Sequence, residues 1–145
     1  MVPNILELIK HDHAVILKML DVLTAPVPVR HANYTGVKRL LLAHMYGEET
    51  TIYERMRPDM PDRVEDSLAE HNSVRVCFHY LDRIDTSSDA WSTAVGKLKE
   101  RVQFHVDAEE RLLKAAESCI GESELYEMAE QFQRARDKQY GYTLA

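Results

Sequence analysis

With 145 residues, 45% of them hydrophobic and 29% charged, the chain has apolar material for one compact domain and too little length for two comfortable ones. A net charge of −6, a pI near 5.6 and no Lys/Arg run exclude the basic stripe that DNA or RNA binding requires. Residues 1–24 interrupt their hydrophobics with Asn4, Glu7, Lys10, His11, Asp12 and Lys18, so neither a signal peptide nor a membrane span is expected.

The first predicted helix covers residues 3–24, with Leu6, Ile9, His13, Ile16, Leu17, Leu20 and Leu23 recurring at three- and four-residue steps. Pro3 suits its first turn. Ala25 to Asn33 contains Pro26 and Pro28 and reads as the first connection, because each proline removes a donor and disfavours helix before it. A second helix is predicted from about Tyr34 to Met56 on Val37, Leu40, Leu41, His44, Glu48 and Ile52, stopped by Pro58 and Pro61. The third, about Asp62 to Ile84, carries Val64, Leu68, His71, Val74, Phe78 and Leu81; a polar loop, Asp85 to Asp89, follows. The fourth spans about Ala90 to Glu117 on Trp91, Val95, Leu98, Val102, His105, Glu109, Leu112 and Ala116, with Gly121 as its stop. A shorter fifth is predicted from Ser123 to Arg136. No β-like alternation or phosphate-cradling glycine loop appears. The expected fold is all-α, one domain over residues 1–145: an antiparallel up-down four-helix bundle over about 3–117, with a short C-terminal helix over about 123–136 as a lid or end cap.

Chemistry enters with a repeat. His44-Met-Tyr-Gly-Glu48-Glu49 recurs as His105-Val-Asp-Ala-Glu109-Glu110. Four residues of α-helix turn through about 400°, so each imidazole lies roughly 40° from its carboxylate, one turn apart on the same face. One His-x3-Glu pair is close to chance. The weight comes from both copies lying on the inward faces of long periodic helices, while the other two helices present His13 and His71 on theirs. Two carboxylates and four imidazoles sharing a dry interior would be destabilising without a cation among them, so His13, His44, Glu48, His71, His105 and Glu109 read as a two-metal site. The alternative is satisfied core histidines and solvated helix charges.

Glu49 and Glu110 lie about 100° further round their helices and are expected to face solvent or to support the ligands. His11 and His31 are weak ligand candidates, and His79, about 12 Å along the helix from His71, is too far to share its ion. Tyr46 and Tyr53 could donate a hydrogen bond into the site, with aromatic packing as the default explanation. Cys77 and Cys119 form no Cys-x-x-Cys pair, so neither a disulfide framework nor a thiolate zinc site is indicated, and a cytoplasmic setting is expected.

These residues, together with Ile9-Lys-His-Asp-His13-Ala-Val-Ile and Glu70-His71, resemble the hemerythrin-like family of HHE cation-binding domains in order and rough spacing over most of the chain. The resemblance implies two irons in a four-helix bundle, with His13, His44, His71 and His105 as terminal ligands and Glu48 and Glu109 as bridges. Positions remain for an oxo or hydroxo bridge and for water. The chain departs from the five-histidine oxygen carriers at Arg75, where they have a further His. An all-nitrogen-and-oxygen donor set suits iron, with manganese or zinc as alternatives. The expected function is binding, sensing or detoxifying a small oxidant such as dioxygen, hydrogen peroxide or nitric oxide. Iron sequestration or delivery, or redox sensing through a protein partner without turnover, is the competing expectation. No nucleic-acid or membrane partner is implied, and the sequence names no redox partner or second substrate.

Overall fold

The computed structural model describes residues 2–24 and 27–142, and all secondary structure among them is helical. In chain order the helices are α1 (Ile5–Asp21), α2 (Val27–Thr50), α3 (Ile52–Met56), α4 (Pro61–Leu81), α5 (Asp89–Cys119) and α6 (Glu122–Tyr142). Asn4 caps α1 by accepting the Glu7 N–H at 3.0 Å. Pro3 therefore precedes the helix instead of opening it. Pro61 does occupy the first turn of α4, where its missing N–H costs nothing.

Two boundaries differ from expectation. The connection predicted over 25–33 is much shorter, because α2 already begins at Val27; of that segment, Ala25 and Pro26 lie outside the described residues. A proline in a first turn is compatible with helix, so Pro28 does not delay α2 to Tyr34. At its other end the predicted helix breaks at Thr51, whose hydroxyl donates to the Gly47 carbonyl at 2.6 Å, a back-bond that competes with regular helix. The short α3 resumes directly after it.

Apolar residues form two clusters. One gathers Ile5, Ile9, Ile52, Tyr53, Val64, Leu112 and Phe132; the other gathers Ile16, Leu20, Leu41, Val74, Trp91, Leu98 and Val102. Along α1 and α4 the chain passes from the first cluster to the second, and along α2 and α5 from the second to the first. The crossing falls at His13, between Ile9 and Ile16; at Glu48, between Met45 and Ile52; at His71, between Val64 and Val74; and at His105 and Glu109, between Val102 and Leu112. A buried polar layer thus divides two greasy halves.

The final helix is not a short cap. It runs for 21 residues and packs along α2 most extensively and along α1 as well. This second neighbour explains why α2 is buried beyond a single stripe, with Ala43, His44, Met45 and Glu48 all within 1% of full burial. Gly47 makes the approach possible, since a Cβ there would stand 2.8 Å from the Phe132 ring.

Candidate metal centre

All six residues expected as ligands are buried, with Glu48, His71 and Glu109 at 0% exposure. They form two overlapping sets of close donors, Glu48–His71–His105–Glu109 and His13–His44–Glu48. Each histidine turns Nε2 inward. Glu48 Oε1 lies 3.1 Å from His44 Nε2 and 3.2 Å from His71 Nε2, while its Oε2 is 3.8 Å from His13 Nε2. Glu109 Oε2 lies 2.7 Å from His105 Nε2, and its Oε1 is 3.5 Å from His13 Nε2. Each carboxylate therefore reaches both halves of the cluster.

Nε2 of His13 and His44, both oxygens of Glu48 and Oε1 of Glu109 are buried without a hydrogen-bond partner. Orphaned groups of this kind are expensive, and they face one small space. A cation accepts all of them, so the donors fit a metal site. The outward nitrogens show the same logic. His44 Nδ1 is 2.9 Å from Asp12, His71 Nδ1 2.7 Å from Glu49 and His105 Nδ1 2.7 Å from Glu70. A carboxylate that accepts the Nδ1 proton leaves Nε2 as a free lone pair and fixes the ring's orientation.

Behind each carboxylate stands an arginine. Arg136 holds Asp12 at 2.7 Å, Arg75 holds Glu49 at 2.9 Å and Arg63 holds Glu70 at 2.7 Å. Arg75, standing where oxygen carriers of the resembled family have a further histidine, is thus turned to the back of His71. Glu49 supports the His71 ring, whereas Glu110 lines an outer groove between α1 and α5.

Of the two readings for Tyr53, a hydrogen bond into the site and plain aromatic packing, the structure shows the first. Tyr53 is fully buried, and its hydroxyl donates to Glu109 Oε2 and lies 3.1 Å from His71 Nε2 and 3.4 Å from His105 Nε2. It stands inside the centre. The signal for this is the position of Tyr53 just after the His44–Glu48 pair; the break at Thr51, which ordinary helical periodicity does not count, made packing the default reading. Asp12, Glu70, Arg63 and Arg136 were also unanticipated as supports. His11, His31 and His79, weak ligand candidates from the sequence, are exposed; Tyr46, for which packing or a hydrogen bond into the site is expected, is exposed as well.

In the metal-free protein these groups perturb one another. Burial alone would lower the His44 imidazole, but the Glu48 charge and the bond to Asp12 outweigh it and lift it to about 10. His105 is likewise raised against burial, chiefly by Glu109. Burial would raise Glu48, and the His44 charge instead holds it well below the carboxylate range. Tyr53 is pushed up by burial and then by the Glu109 and Glu48 charges, a direction that a bound cation reverses. For a histidine raised from 6.5 to about 10, the stabilisation is complete below pH 6.5 and disappears as the pH rises through about 10. The melting temperature of metal-free protein should therefore fall between pH 7 and 10. A flat or rising curve in calorimetry over that window contradicts the assignment.

Similarity to known proteins follows the same residues. The family model described as Hemerythrin HHE cation binding domain matches residues 4–117, which carry every candidate ligand. A solved hemerythrin HHE cation-binding domain-containing protein from Mycobacterium kansasii is 24% identical, covers 99% of this chain with 91% of its own, and superposes with a TM-score of 0.86, which shows the shared fold. No curated protein sequence matches the chain. Among the described residues no helix is long and apolar enough to cross a membrane. On the extent of the family match, the chain belongs to the hemerythrin HHE cation-binding domain family.

Proposed function

We propose that the chain is a non-haem diiron protein that takes a small oxidant, dioxygen, hydrogen peroxide or nitric oxide, at a centre held by His13, His44, Glu48, His71, His105 and Glu109. The observation that carries this reading is the pair of buried donor sets sharing Glu48, in a layer whose inward atoms lack partners. The frame is an antiparallel four-helix bundle of α1, α2, α4 and α5, with α6 laid along it. Two irons in such a site supply paired one-electron steps suited to two-electron reduction of a small oxidant.

The chain's own residues make the two positions unequal. His71, His105, Glu48, Glu109 and Tyr53 would surround one, whereas His13 and His44 would supply the imidazoles of the other and share Glu48 with it. With fewer side-chain donors, the second position would be the more open to an incoming molecule. It also lies nearer the surface, since His13 lines the groove between α1 and α5 together with Lys10, Ala14, Leu17, Val106 and Leu113. Both apolar clusters exclude bulk water from the rest of the centre. The complete burial of Glu48, His71 and Glu109 favours a resident centre over delivery of iron.

The test is to load purified protein with ferrous iron without oxygen, count metal per chain, then add repeated portions of hydrogen peroxide. About two irons per chain is the expected load for these donors, with a spectrum that changes and recovers while many equivalents are consumed. A single irreversible change indicates sensing, and failure to retain metal overturns the proposal. Tyr53 yields a sharper expectation. Its phenol beside His71 and Glu109 supports reading it as a further iron ligand, so Tyr53→Phe should keep the metal but lose the visible phenolate-to-iron absorption of the ferric protein. An unchanged visible spectrum would return Tyr53 to packing.

A further inference from the structure

The family match ends at residue 117, yet α6, beginning at Glu122, reaches the centre with two side chains. Phe132 is fully buried, seats its ring against Gly47 and meets the His44 imidazole edge-on at 5.7 Å between ring centres. One turn later, Arg136 Nη1 donates to Asp12 Oδ1 at 2.7 Å. The other oxygen of Asp12 accepts from His44 Nδ1 at 2.9 Å, and His44 Nε2 faces Glu48 at 3.1 Å. With both oxygens engaged, the Asp12 carboxylate cannot turn without breaking one of these bonds.

We propose that Arg136 is a positioning residue of the metal centre: from α6 it holds Asp12, Asp12 holds His44, and the C-terminal helix thereby governs retention of the metal bound by His13 and His44. This rests on the diiron reading above. Asp12 is 4% exposed, and a carboxylate buried that deeply needs its cationic partner. Without Arg136 it would turn towards water, and His44 would lose the acceptor that fixes its ring with Nε2 facing the centre. The other two arginines differ in origin and in target. Arg63 and Arg75 belong to α4, the helix of His71, and support Glu70 behind His105 and Glu49 behind His71. Arg136 comes from a separate helix, tied down independently by Arg55–Glu124 at 2.7 Å and by Arg39 over the Tyr140 ring at 4.3 Å. Removing its guanidinium therefore leaves α6 docked and acts on one half of the centre.

The experiment follows iron leaving full-length ferrous protein to a strong ferrous chelator without oxygen, for wild type, Arg136→Met, Arg136→Lys, Asp12→Asn and Arg136→Met/Asp12→Asn. Loss of an outer support of a metal ligand commonly weakens binding by about 10- to 100-fold. In Arg136→Met one iron per chain should leave faster by that order while the other leaves at the wild-type rate. Arg136→Lys should restore part of the difference. Asp12→Asn should accelerate the same single iron, and the double variant should exceed neither single variant by much, because both break one chain of contacts. Equal acceleration of both irons with a lowered melting temperature would make Arg136 an ordinary packing residue and overturn the proposal. Release unchanged from wild type in Arg136→Met and Asp12→Asn overturns it too. Wild-type protein that retains no iron overturns the diiron reading and this proposal together.

Discussion

Replacing Glu48 by alanine should strip both metals from the chain while leaving its helices in place. Glu48 is fully buried and shared by the two donor sets, with Oε1 between His44 and His71 and Oε2 towards His13. Glu109→Ala should behave alike, because its two oxygens divide between His105 and His13. His79→Ala is the control, since His79 is exposed on the same helix as His71. Metal per chain after reconstitution, read beside the helical circular-dichroism signal, decides the matter. Retention of metal by Glu48→Ala at the wild-type level would remove Glu48 as a bridge, and equal loss in His79→Ala would remove the assignment of His79 as a bystander.

The second large effect concerns stability. Trp91 is fully buried, donates its indole N–H to the Leu23 carbonyl at 3.0 Å, and meets the Tyr34 ring edge-on at 5.1 Å. It joins the start of α5 to the turn that follows α1 across the cluster remote from Tyr53 and Phe132. Trp91→Ala should cost about 3–5 kcal/mol, the range for emptying a large buried aromatic, and the Leu23 carbonyl loses its donor besides. Against a typical domain stability of about 5–15 kcal/mol that is a severe loss. Trp91→Phe should cost less, as it retains most of the ring volume. Urea unfolding of the metal-free protein measures both, and a change of under about 1 kcal/mol for Trp91→Ala would show that the site collapses around the gap. Metal per folded molecule should stay at the wild-type level, because Trp91 makes its hydrogen bond and ring contact with Leu23 and Tyr34. The two substitutions thus separate the centre from the scaffold.

What was legible from sequence is what local periodicity encodes. All eight residues expected on the inner face of the fourth predicted helix, Trp91 to Ala116, are buried along α5. His13, His44, Glu48, His71, His105 and Glu109 were recognisable for the same reason: side chains three or four residues apart share a helical face whatever the helix packs against. A polar residue interrupting an apolar stripe is conspicuous in one dimension.

Only the tertiary structure decided the contacts between residues far apart in the chain. Asp12 and Arg136 meet across 124 residues and Tyr53 and Glu109 across 56, and no periodicity pairs them. The Thr51 break likewise arises from a side-chain hydroxyl competing for a backbone carbonyl. The role of Gly47 was invisible for a related reason. On a lone helix it is a mild weakness, whereas against Phe132 it is the notch that lets α6 come close. Which residues turn inward follows from the geometry of one helix, but which arginine neutralises which buried carboxylate depends on how the helices stack.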